Sequence, residues 1–258
     1  MKIVVIGGTG RVGSQVVAAL RELGHEAVPA APSTGVDALT GEGLADALNG
    51  ADVVVDVTGS PTYEPDEVLD FFRRSTSNLL AAEQAAGAAR HVVLSIVGTR
   101  RQPENAYFRA KVAQEDLVGA SPVEWTIVHA TQLFEFLPTL ADSQTVDGVV
   151  RVPPVAFQPV AASDVAAAVV HAVLHGPARA DVEVAGPERF RYDELLRAEL
   201  AEAGDPREVV TDPGARYWGA LVDDHSLVPE GDHVTLGTTT LAAWKQARAT
   251  ERATSLTR

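Results

Sequence analysis

Apolar and polar residues alternate along the first half of the chain with two different periods. Short apolar runs predict buried strands, and longer segments with apolar residues three and four positions apart predict helices. The predicted strands cover residues 3–6, 25–30, 51–57, 91–97 and 123–130. The predicted helices cover residues 12–23, 43–50, 66–89 and 105–120. Strands and helices that alternate in this way form a parallel sheet with right-handed crossovers, so the pattern predicts an α/β fold with a Rossmann-type, doubly wound parallel sheet.

The alternation loosens after residue 130. Three prolines between positions 153 and 159 mark a crossing segment, residues 162–176 read as a strongly apolar helix, and residues 181–186 read as another strand. The rest of the chain reads as helix and loop, too sparsely apolar to form a domain of its own. We therefore predict a single domain over residues 1–258. Residues 1–130 form the half in which a doubly wound fold binds its cofactor, and residues 131–258 complete the sheet and supply a small C-terminal region that covers the substrate.

Composition narrows the class of function. The chain has 35 acidic and 21 basic residues, a formal net charge of −14, and would repel nucleic acid over most of its surface. It contains no cysteine, which excludes disulfides and thiolate chemistry. No apolar run is long enough to span a bilayer, and a strand begins at once at the N-terminus. We expect a cytoplasmic protein that binds a small-molecule substrate, without membrane or nucleic-acid partners; a homodimer stays open as its assembly.

The heptapeptide GGTGRVG stands between the first predicted strand and the first predicted helix. It reads either as GxxGxxG, beginning at Gly7, or as GxGxxG, beginning one residue later. Glycines in this context allow a tight turn, a close approach of backbone to a pyrophosphate, and close helix–strand packing. A glycine-rich turn without a ligand is the alternative. We favour GxxGxxG and a bound dinucleotide, with cofactor contacts from the loop residues Gly7, Thr9, Gly10, Arg11, Val12 and Gly13.

The end of the second predicted strand bears on the choice of dinucleotide. NAD-binding folds carry an acidic residue there for the ribose 2′-hydroxyl, but this chain has the sequence AAPST at residues 30–34. Asp37 comes too late and reads as a loop residue. Arg11 could instead reach a 2′-phosphate, with hydrogen bonds from Ser33 and Thr34, or be a solvated surface side chain. We therefore expect NADP, with NAD as the less favoured cofactor.

Tyr107 and Lys111 lie four residues apart, which puts both on one face of a predicted helix. Ser95 stands near the C-terminal end of the fourth predicted strand, where open α/β sheets bind their ligands. A tyrosine can pass a proton to or from a substrate oxygen, and a nearby ammonium would lower its pKa toward neutrality. The serine would then fix the substrate carbonyl. The alternative is a tyrosine packed on the sheet beside an exposed lysine.

These motifs resemble the short-chain dehydrogenase/reductase superfamily, and within it the atypical, NmrA-like NAD(P)-binding branch. The resemblance is carried by GGTGRVG, HVVLSIVGT, YFRAK and WTIVHATQLFEF, together with QPVAASDVAAAVV and EVAGPERFRYDEL later in the chain. It implies a Rossmann fold, a nicotinamide cofactor and a catalytic set of Ser95, Tyr107 and Lys111, in which Lys111 also contacts the nicotinamide ribose. Many relatives have Arg-Pro at the end of the fifth strand; this chain has His129-Ala130, and we expect His129 to contact the cofactor there.

These residues predict an NAD(P)H-dependent oxidoreductase that transfers hydride to or from a small carbonyl, alcohol, quinone or enone, with Tyr107 as the acid/base. One alternative is a non-catalytic NAD(P)-binding redox sensor of the NmrA type. Its members typically lack the tyrosine, so YxxxK favours an enzyme. The other alternative is a redox-neutral epimerase, dehydratase or cyclase on the same scaffold.

Several smaller features have structural explanations of equal or greater weight. His171 and His175 are spaced for a metal but lack a third ligand, and we predict no metal site. Asp164 reads as a helix-start residue. Phe134, Phe136 and Leu137 could line the substrate pocket or belong to the ordinary core. Tyr217 and Trp218 could form part of a lid, and surface packing explains them equally well.

Overall fold

A computed structural model describes residues 1–231 and 234–255. The strands are β1 (Lys2–Ile6), β2 (Glu26–Ala30), β3 (Val53–Asp56), β4 (Arg90–Ile96), β5 (Glu124–Ala130), β6 (Thr145–Val146), β7 (Val149–Val152), β8 (Ala156–Phe157), β9 (Ala180–Ala185), β10 (Phe190–Arg191), β11 (Glu208–Thr211) and β12 (Val234–Leu236). The helices are α1 (Arg11–Glu22), α2 (Leu44–Leu48), α3 (Pro65–Ala86), α4 (Ala106–Gly119), α5 (Leu137–Ser143), α6 (Ala162–His175), α7 (Tyr192–Glu202) and α8 (Leu241–Ser255).

The central sheet is parallel throughout, with the strand order β12-β9-β5-β4-β3-β1-β2. The predicted doubly wound α/β fold is therefore confirmed. Strand β1 lies between β2 and β3, so the winding of the chain reverses there. A crevice opens beyond the carboxyl ends of the strands at such a reversal, and this is where folds of this class bind their ligands.

Strand pleating sends alternate side chains into two apolar layers. In β1, Ile3 and Val5 pack with α1 and α6, whereas Val4 and Ile6 pack with α2 and α3. Helix α4 lies beside α3 on that second face. Because both faces are covered, the central strands are apolar almost without interruption, as the sequence pattern requires. The part of the chain that the structure describes contains no helix long and apolar enough to cross a membrane.

The C-terminal half contains more strands than the sequence pattern predicts. A three-stranded sheet of β11, β7 and β6 includes a tight hairpin at Asp147 and Gly148, both with positive φ. Asp-Gly is a strong hairpin signal that the sequence reading passed over. Strand β12 lies in the region read as helix and loop, yet it pairs in parallel with β9 at the edge of the central sheet. Three residues are too few to show a period, so the exposed edge of β9 determines this strand.

Candidate active site

The glycine loop is the best-defined part of the site. Gly7 has φ +77°, which favours glycine, and its N–H donates to the Ala30 carbonyl at 2.8 Å. A Cβ on Gly13 would lie 2.2 Å from the Gly7 carbonyl oxygen, so α1 can pack on the loop only with glycine there. The loop closes through a 2.9 Å bond from Gly10 N to Gly7 O, and α1 begins at Arg11. A Cβ on Gly8 would also lie 2.6 Å from the Val5 carbonyl oxygen, so both readings of the motif begin at a residue that must be glycine.

This loop fits the pyrophosphate of a dinucleotide. The N-cap of α1 is Gly10, no side chain caps the helix, and its first turn carries no acid. The first N–H groups of α1 are therefore left for an anion, which the helix dipole also favours. Gly10 and Val12 line the cavity described below, so this helix terminus opens onto it.

The loop after β2 lies next to the glycine loop. Ser33 Oγ is 3.4 Å from Thr9 Oγ1, and both residues are exposed. Thr34 Oγ1 instead accepts a hydrogen bond from the backbone N–H of Ala31 at 2.9 Å, within the same loop. Asp37 accepts from Leu39 N at 2.8 Å within its own loop. The structure thus brings Thr9 and Ser33 together and turns the hydroxyl of Thr34 away.

Arg11 is exposed and has no ion-pair partner among residues 1–231 and 234–255. Its guanidinium is not committed to an internal contact, which leaves it available to a phosphate.

One cavity of about 370 Å³ connects the glycine loop with the residues of the predicted catalytic set. We call it the central cavity. Its lining residues are Gly10, Arg11, Val12, Val57, Thr58, Gly59, Tyr63, Leu94, Ser95, Ile96, Asn105, Tyr107, Phe108, Lys111, Ala130, Thr131, Gln132, Leu133, Phe136, Tyr217 and Trp218. Ser95, Tyr107 and Lys111 are all among them, from β4 and α4, so the fold brings the three together at the crevice.

Tyr107 sits on the first turn of α4 with its ring edge-on to Phe72 and 5.6 Å away. Its hydroxyl faces the loop after β3, where a Cβ on Gly59 would lie 4.0 Å from it. Burial raises the pKa of Tyr107 to about 12; the neighbouring Tyr63 adds to the rise, and the Ser60 backbone N–H lowers it. The expected lowering by Lys111 is absent from this arrangement. Tyr107 is therefore a protonated phenol at neutral pH.

Lys111 is buried and turned away from that hydroxyl. Its Nζ donates to the Leu94 carbonyl at 2.8 Å and to Gln114 Oε1, and lies 4.6 Å from the centre of the Phe72 ring. Burial lowers the pKa of Lys111 to about 8, although the charges of Asp56 and Glu115 oppose that change. A long side chain can reach several partners from one helix position, so spacing alone could not show which one its ammonium meets.

A buried chain of hydrogen bonds continues from Lys111 to the loop after β3. Gln114 Nε2 donates to Asp56 Oδ2 at 2.8 Å, and Asp56 Oδ1 accepts from Thr58 Oγ1 at 2.7 Å and from Thr58 N at 2.9 Å. Asp56 and Gln114 are 2% and 0% exposed. The sequence reading missed both. An acid at the end of an otherwise apolar strand was the available signal, because buried acids need partners.

Ser95 lines the central cavity, but its hydroxyl donates to Glu115 Oε1, which also accepts from Thr99 Oγ1 at 3.1 Å. The pleat of β4 explains this: Leu94 and Ile96 share one face of the sheet, and Ser95 faces α4. The predicted contact of the Ser95 hydroxyl with a substrate carbonyl is therefore not prepared in this arrangement.

His129 is not brought to the central cavity. It is level with Ser95 in the β4–β5 register and faces the same side of the sheet. Its Nδ1 lies 3.2 Å from the Ile96 carbonyl, and its Nε2 lies 3.0 Å from Asp181 Oδ1. Burial disfavours the imidazolium, but the hydrogen bond with Asp181 and the charge of Glu115 outweigh it and raise the pKa of His129. Both ring nitrogens therefore have partners within the protein, and the expected contact of His129 with the cofactor stays a prediction.

The smaller features separate into wall and core. Phe136, Tyr217 and Trp218 line the central cavity, whereas Phe134 and Leu137 are buried in the apolar cluster between α5 and α7. Asp164 lies in the first turn of α6, which begins at Ala162, and its carboxylate also accepts from Thr239 N at 2.9 Å. In the described part of the chain, no group of three or more histidine and acidic side chains could hold a metal ion.

Comparison with known proteins agrees with this geometry. A family model described as NAD(P)H-binding matches residues 7–176, which is more than half of the chain and includes the glycine loop. The chain belongs to this NAD(P)H-binding family. The match runs from the glycine loop to the end of α6 and therefore includes β4 and β5, the strands that carry predicted site residues. Among curated proteins no match is found.

Several solved structures have the same fold as this member of the NAD(P)H-binding family. A short-chain dehydrogenase/reductase superfamily protein from Agrobacterium tumefaciens with bound NAD has 21% identity and a TM-score of 0.71, over 99% of this chain and 98% of that one. The Thermus thermophilus UDP-glucose 4-epimerase with NAD has 18% identity and a TM-score of 0.67, over 89% and 94%. The Citrobacter sp. triphenylmethane reductase with NADP(H) has 16% identity and a TM-score of 0.61, over 83% and 80%. At these identities the likeness concerns the fold, and together with the family match it confirms the Rossmann fold and the NAD(P)H-binding family that the resemblance implies.

Proposed function

We propose that this NAD(P)H-binding protein is a reductase that acts on a small carbonyl compound, including quinones and enones, with the reverse oxidation of an alcohol as the same chemistry. One observation carries the proposal: a single cavity joins the N-terminus of α1 to the side chain of Tyr107. A dinucleotide whose pyrophosphate lies on the glycine loop would then have the phenol within the same enclosed space.

The bound cofactor would supply the hydride. Tyr107 would hold the proton that the substrate oxygen needs, and burial keeps its phenol protonated because the pKa is raised to about 12. A protonated phenol is a general acid rather than a base. The protonated phenol of Tyr107 could therefore give its proton to the substrate oxygen during reduction.

Lys111 and Ser95 would act differently from the roles that the resemblance implies. The Lys111 ammonium donates to the Leu94 carbonyl and to Gln114. Its main role would therefore be to fix the end of β4 and the wall of the cavity, rather than to contact the ribose of the cofactor. The Ser95 hydroxyl proton is engaged by Glu115. Polar contacts with the substrate therefore fall to other residues of the cavity, which we identify below.

For the cofactor we propose NADP over NAD. The end of β2 lacks an acid for a ribose 2′-hydroxyl, and Asp37 is engaged in its own loop. Arg11, Thr9 and Ser33 are exposed beside that strand end and offer one positive charge and two hydroxyls. These are the groups that a 2′-phosphate requires.

The experiment is an assay of NADPH oxidation over a panel of aldehydes, ketones, quinones and enones, with dissociation constants for NADPH and NADH measured in parallel. We expect NADPH to bind and to be oxidised with at least one class of carbonyl compound. Tight dinucleotide binding without oxidation of any panel member would favour the redox sensor. Conversion of a substrate without net change in NADPH would favour the epimerase-type alternative.

A further inference from the structure

Aromatic side chains are concentrated around the central cavity. The chain has fourteen aromatic residues, three Trp, four Tyr and seven Phe, and six of them line this one space. They are Tyr63, Tyr107, Phe108, Phe136, Tyr217 and Trp218. Tyr63 and Trp218 stack at 5.0 Å with an interplanar angle of 28°, and Phe136 and Trp218 lie 6.4 Å apart at 19°. Nearly parallel rings of this kind make a wall suited to a flat ligand.

Trp218 is held in this wall by an unfavourable turn. Tyr217 N donates to Ala220 O at 2.8 Å and Ala220 N donates to Tyr217 O at 3.1 Å, with Trp218 at φ +49° and Gly219 at φ +90° between them. Two-residue turns with both central residues at positive φ favour Asn-Gly, and a bulky side chain at the first position is strained. A tryptophan in that position is a cost to stability, which suggests that its ring is there for the cavity.

The lining of the cavity carries little charge. Among its described residues, the ionisable groups other than the tyrosines are Arg11, beside the glycine loop, and Lys111. The Lys111 ammonium is already held by Leu94 O and Gln114. A carboxylate or diphosphate on a ligand at the aromatic end would therefore be buried without a partner, at a large free-energy cost.

Three buried residues of the cavity have polar atoms without a partner. Asn105 Oδ1 accepts from Phe108 N at 3.1 Å, which leaves its Nδ2 as an unused donor. Thr131 Oγ1 and both amide atoms of Gln132 also lack a hydrogen-bond partner in the described chain. The three residues are 1%, 2% and 7% exposed. A buried polar group without a partner destabilises the fold, so a ligand acceptor placed here would be recognised strongly.

Gln132 also has a neighbour that fixes its surroundings. Its amide lies beside the Tyr217 hydroxyl and lowers the pKa of that phenol, although burial dominates and raises it; their geometry falls short of a hydrogen bond. A small rotation would let one end of the amide form a hydrogen bond with the Tyr217 hydroxyl and leave the other end for a ligand. Gln132 can therefore form a hydrogen bond with a ligand even when it is also bonded to Tyr217.

We propose that the central cavity takes an uncharged, flat ring compound that bears a carbonyl group. The ring would lie against Trp218 and Tyr63, and the carbonyl oxygen would accept from Asn105 or Gln132. This inference rests on the proposed reductase function and narrows its substrate to aromatic ketones and aldehydes or quinone-like compounds. It also excludes sugar nucleotides, whose diphosphate needs cations that the aromatic end does not offer.

The first test compares ligands that differ in one property, with binding measured by saturation-transfer NMR on the full chain, without cofactor and with NADP⁺. The probes are acetophenone; α-methylstyrene, in which a CH2 group replaces the carbonyl oxygen; cyclohexyl methyl ketone, in which a saturated ring replaces the flat ring; and para-acetylbenzoate, which adds a charge. We expect acetophenone to bind about fivefold more tightly than α-methylstyrene, the effect of one neutral hydrogen bond. Cyclohexyl methyl ketone should bind more weakly than acetophenone, and para-acetylbenzoate should not bind measurably. Equal affinity for acetophenone and α-methylstyrene, or preference for the charged probe, would overturn the inference.

The second test uses variants that keep the fold. Gln132→Met removes the amide, and Asn105→Ser removes the donor while keeping an N-cap oxygen; each should bring the acetophenone preference over α-methylstyrene toward one. Gln158→Met, which alters a glutamine outside the cavity, should leave that preference unchanged. Trp218→Asn should weaken acetophenone binding about tenfold while leaving the free energy of unfolding equal or higher, since Asn-Gly suits the turn. An unchanged preference in both Gln132→Met and Asn105→Ser would contradict the proposed contacts.

Binding and turnover separate this inference from the proposed function. Selective binding of acetophenone without NADPH oxidation would support the ligand class and count against the reductase. NADPH oxidation with para-acetylbenzoate or with an aliphatic ketone alone would support the reductase and count against the ligand class.

Discussion

Tyr107 and Lys111 lie one helical turn apart on α4, yet their polar groups diverge. The phenol faces the loop at Gly59, and the ammonium donates to the Leu94 carbonyl and to Gln114. Spacing on a helix places two side chains on one face but leaves the ends of long side chains free to choose different partners. The tyrosine is therefore set up as a proton donor, while the lysine is part of the buried framework of the cavity.

Stability should rise with pH in the range where Lys111 loses its proton. The pKa of Lys111 is lowered from 10.5 to about 8 in the folded chain, so between these values the unfolded chain binds more protons than the folded one. The free energy of unfolding then increases with pH through this window, by about 2–3 kcal/mol at about 1.4 kcal/mol per pH unit. Urea unfolding at pH 8, 9 and 10 measures the change.

Lys111→Met provides the comparison for that measurement, because methionine is of similar size and does not titrate. From pH 8 to pH 10, the free energy of unfolding of the wild type should rise by this amount relative to that of Lys111→Met. Tyr107 has the opposite effect at higher pH. Because its pKa is raised from 10 to about 12 on folding, the folded chain binds more protons in this range, and the free energy of unfolding falls as pH rises from about 10 to about 12. Parallel pH curves for the two proteins would contradict the burial of a titrating ammonium.

Gln114 joins two buried charged groups, and its loss should destabilise the fold. Gln114→Leu leaves the Asp56 carboxylate and the Lys111 ammonium each short of one hydrogen bond. We expect the free energy of unfolding in urea to fall by about 2–4 kcal/mol, because hydrogen bonds to buried charged groups are costly to lose. Gln84→Leu, an exposed glutamine on α3, is the matched control and should change it little.

Two glycines of the loop should respond differently to alanine. A Cβ on Gly13 would lie 2.2 Å from the Gly7 carbonyl oxygen, so Gly13→Ala should lower both stability and cofactor affinity. A Cβ on Gly10 would meet that oxygen at 3.2 Å and otherwise open space, so Gly10→Ala should fold nearly normally. It should still weaken NADPH binding, since the added methyl group faces the pyrophosphate site. Thermal unfolding and calorimetric titration separate the effects, and normal NADPH binding by Gly10→Ala would place the cofactor elsewhere.

Arg11→Ala tests the choice between the two dinucleotides. Removing a charge-assisted contact with a 2′-phosphate should raise the dissociation constant for NADPH about 10- to 100-fold and leave that for NADH nearly unchanged. Arg73→Ala, an exposed arginine on α3, controls for the change in net charge. If Arg11→Ala weakens NADPH and NADH equally, Arg11 does not read the 2′-position.

The sequence pattern predicts much of this fold because the signals are local. Apolar runs separated by amphipathic segments predict β1 to β5 in their order, and the glycines predict the turn before α1. What it misses depends on contacts between distant segments. The β4 pleat directs Ser95 to Glu115, a carbonyl on β4 captures Lys111, and the edge of β9 recruits the short strand β12.

The residues of the candidate site also divide into those that a local motif marks and those that only the folded structure brings together. Tyr107 and Arg11 were found because a motif marks them, and both lie at the central cavity. Asn105 lies outside the quoted motifs, and Gln132 lies within WTIVHATQLFEF without a role assigned to it. Only the cavity makes these two residues candidates for substrate recognition. The place of His129 at a strand end does not reveal that its ring nitrogens contact the Ile96 carbonyl and Asp181.

The central claim is that Tyr107 donates the proton during reduction, and Tyr107→Phe tests it most directly. The variant removes only a hydroxyl, and the ring should keep its packing on Phe72. With a carbonyl substrate found in the panel, we predict that kcat for NADPH oxidation falls about 100- to 10,000-fold while the dissociation constant for NADPH changes little. Turnover near the wild-type rate in Tyr107→Phe would contradict this account.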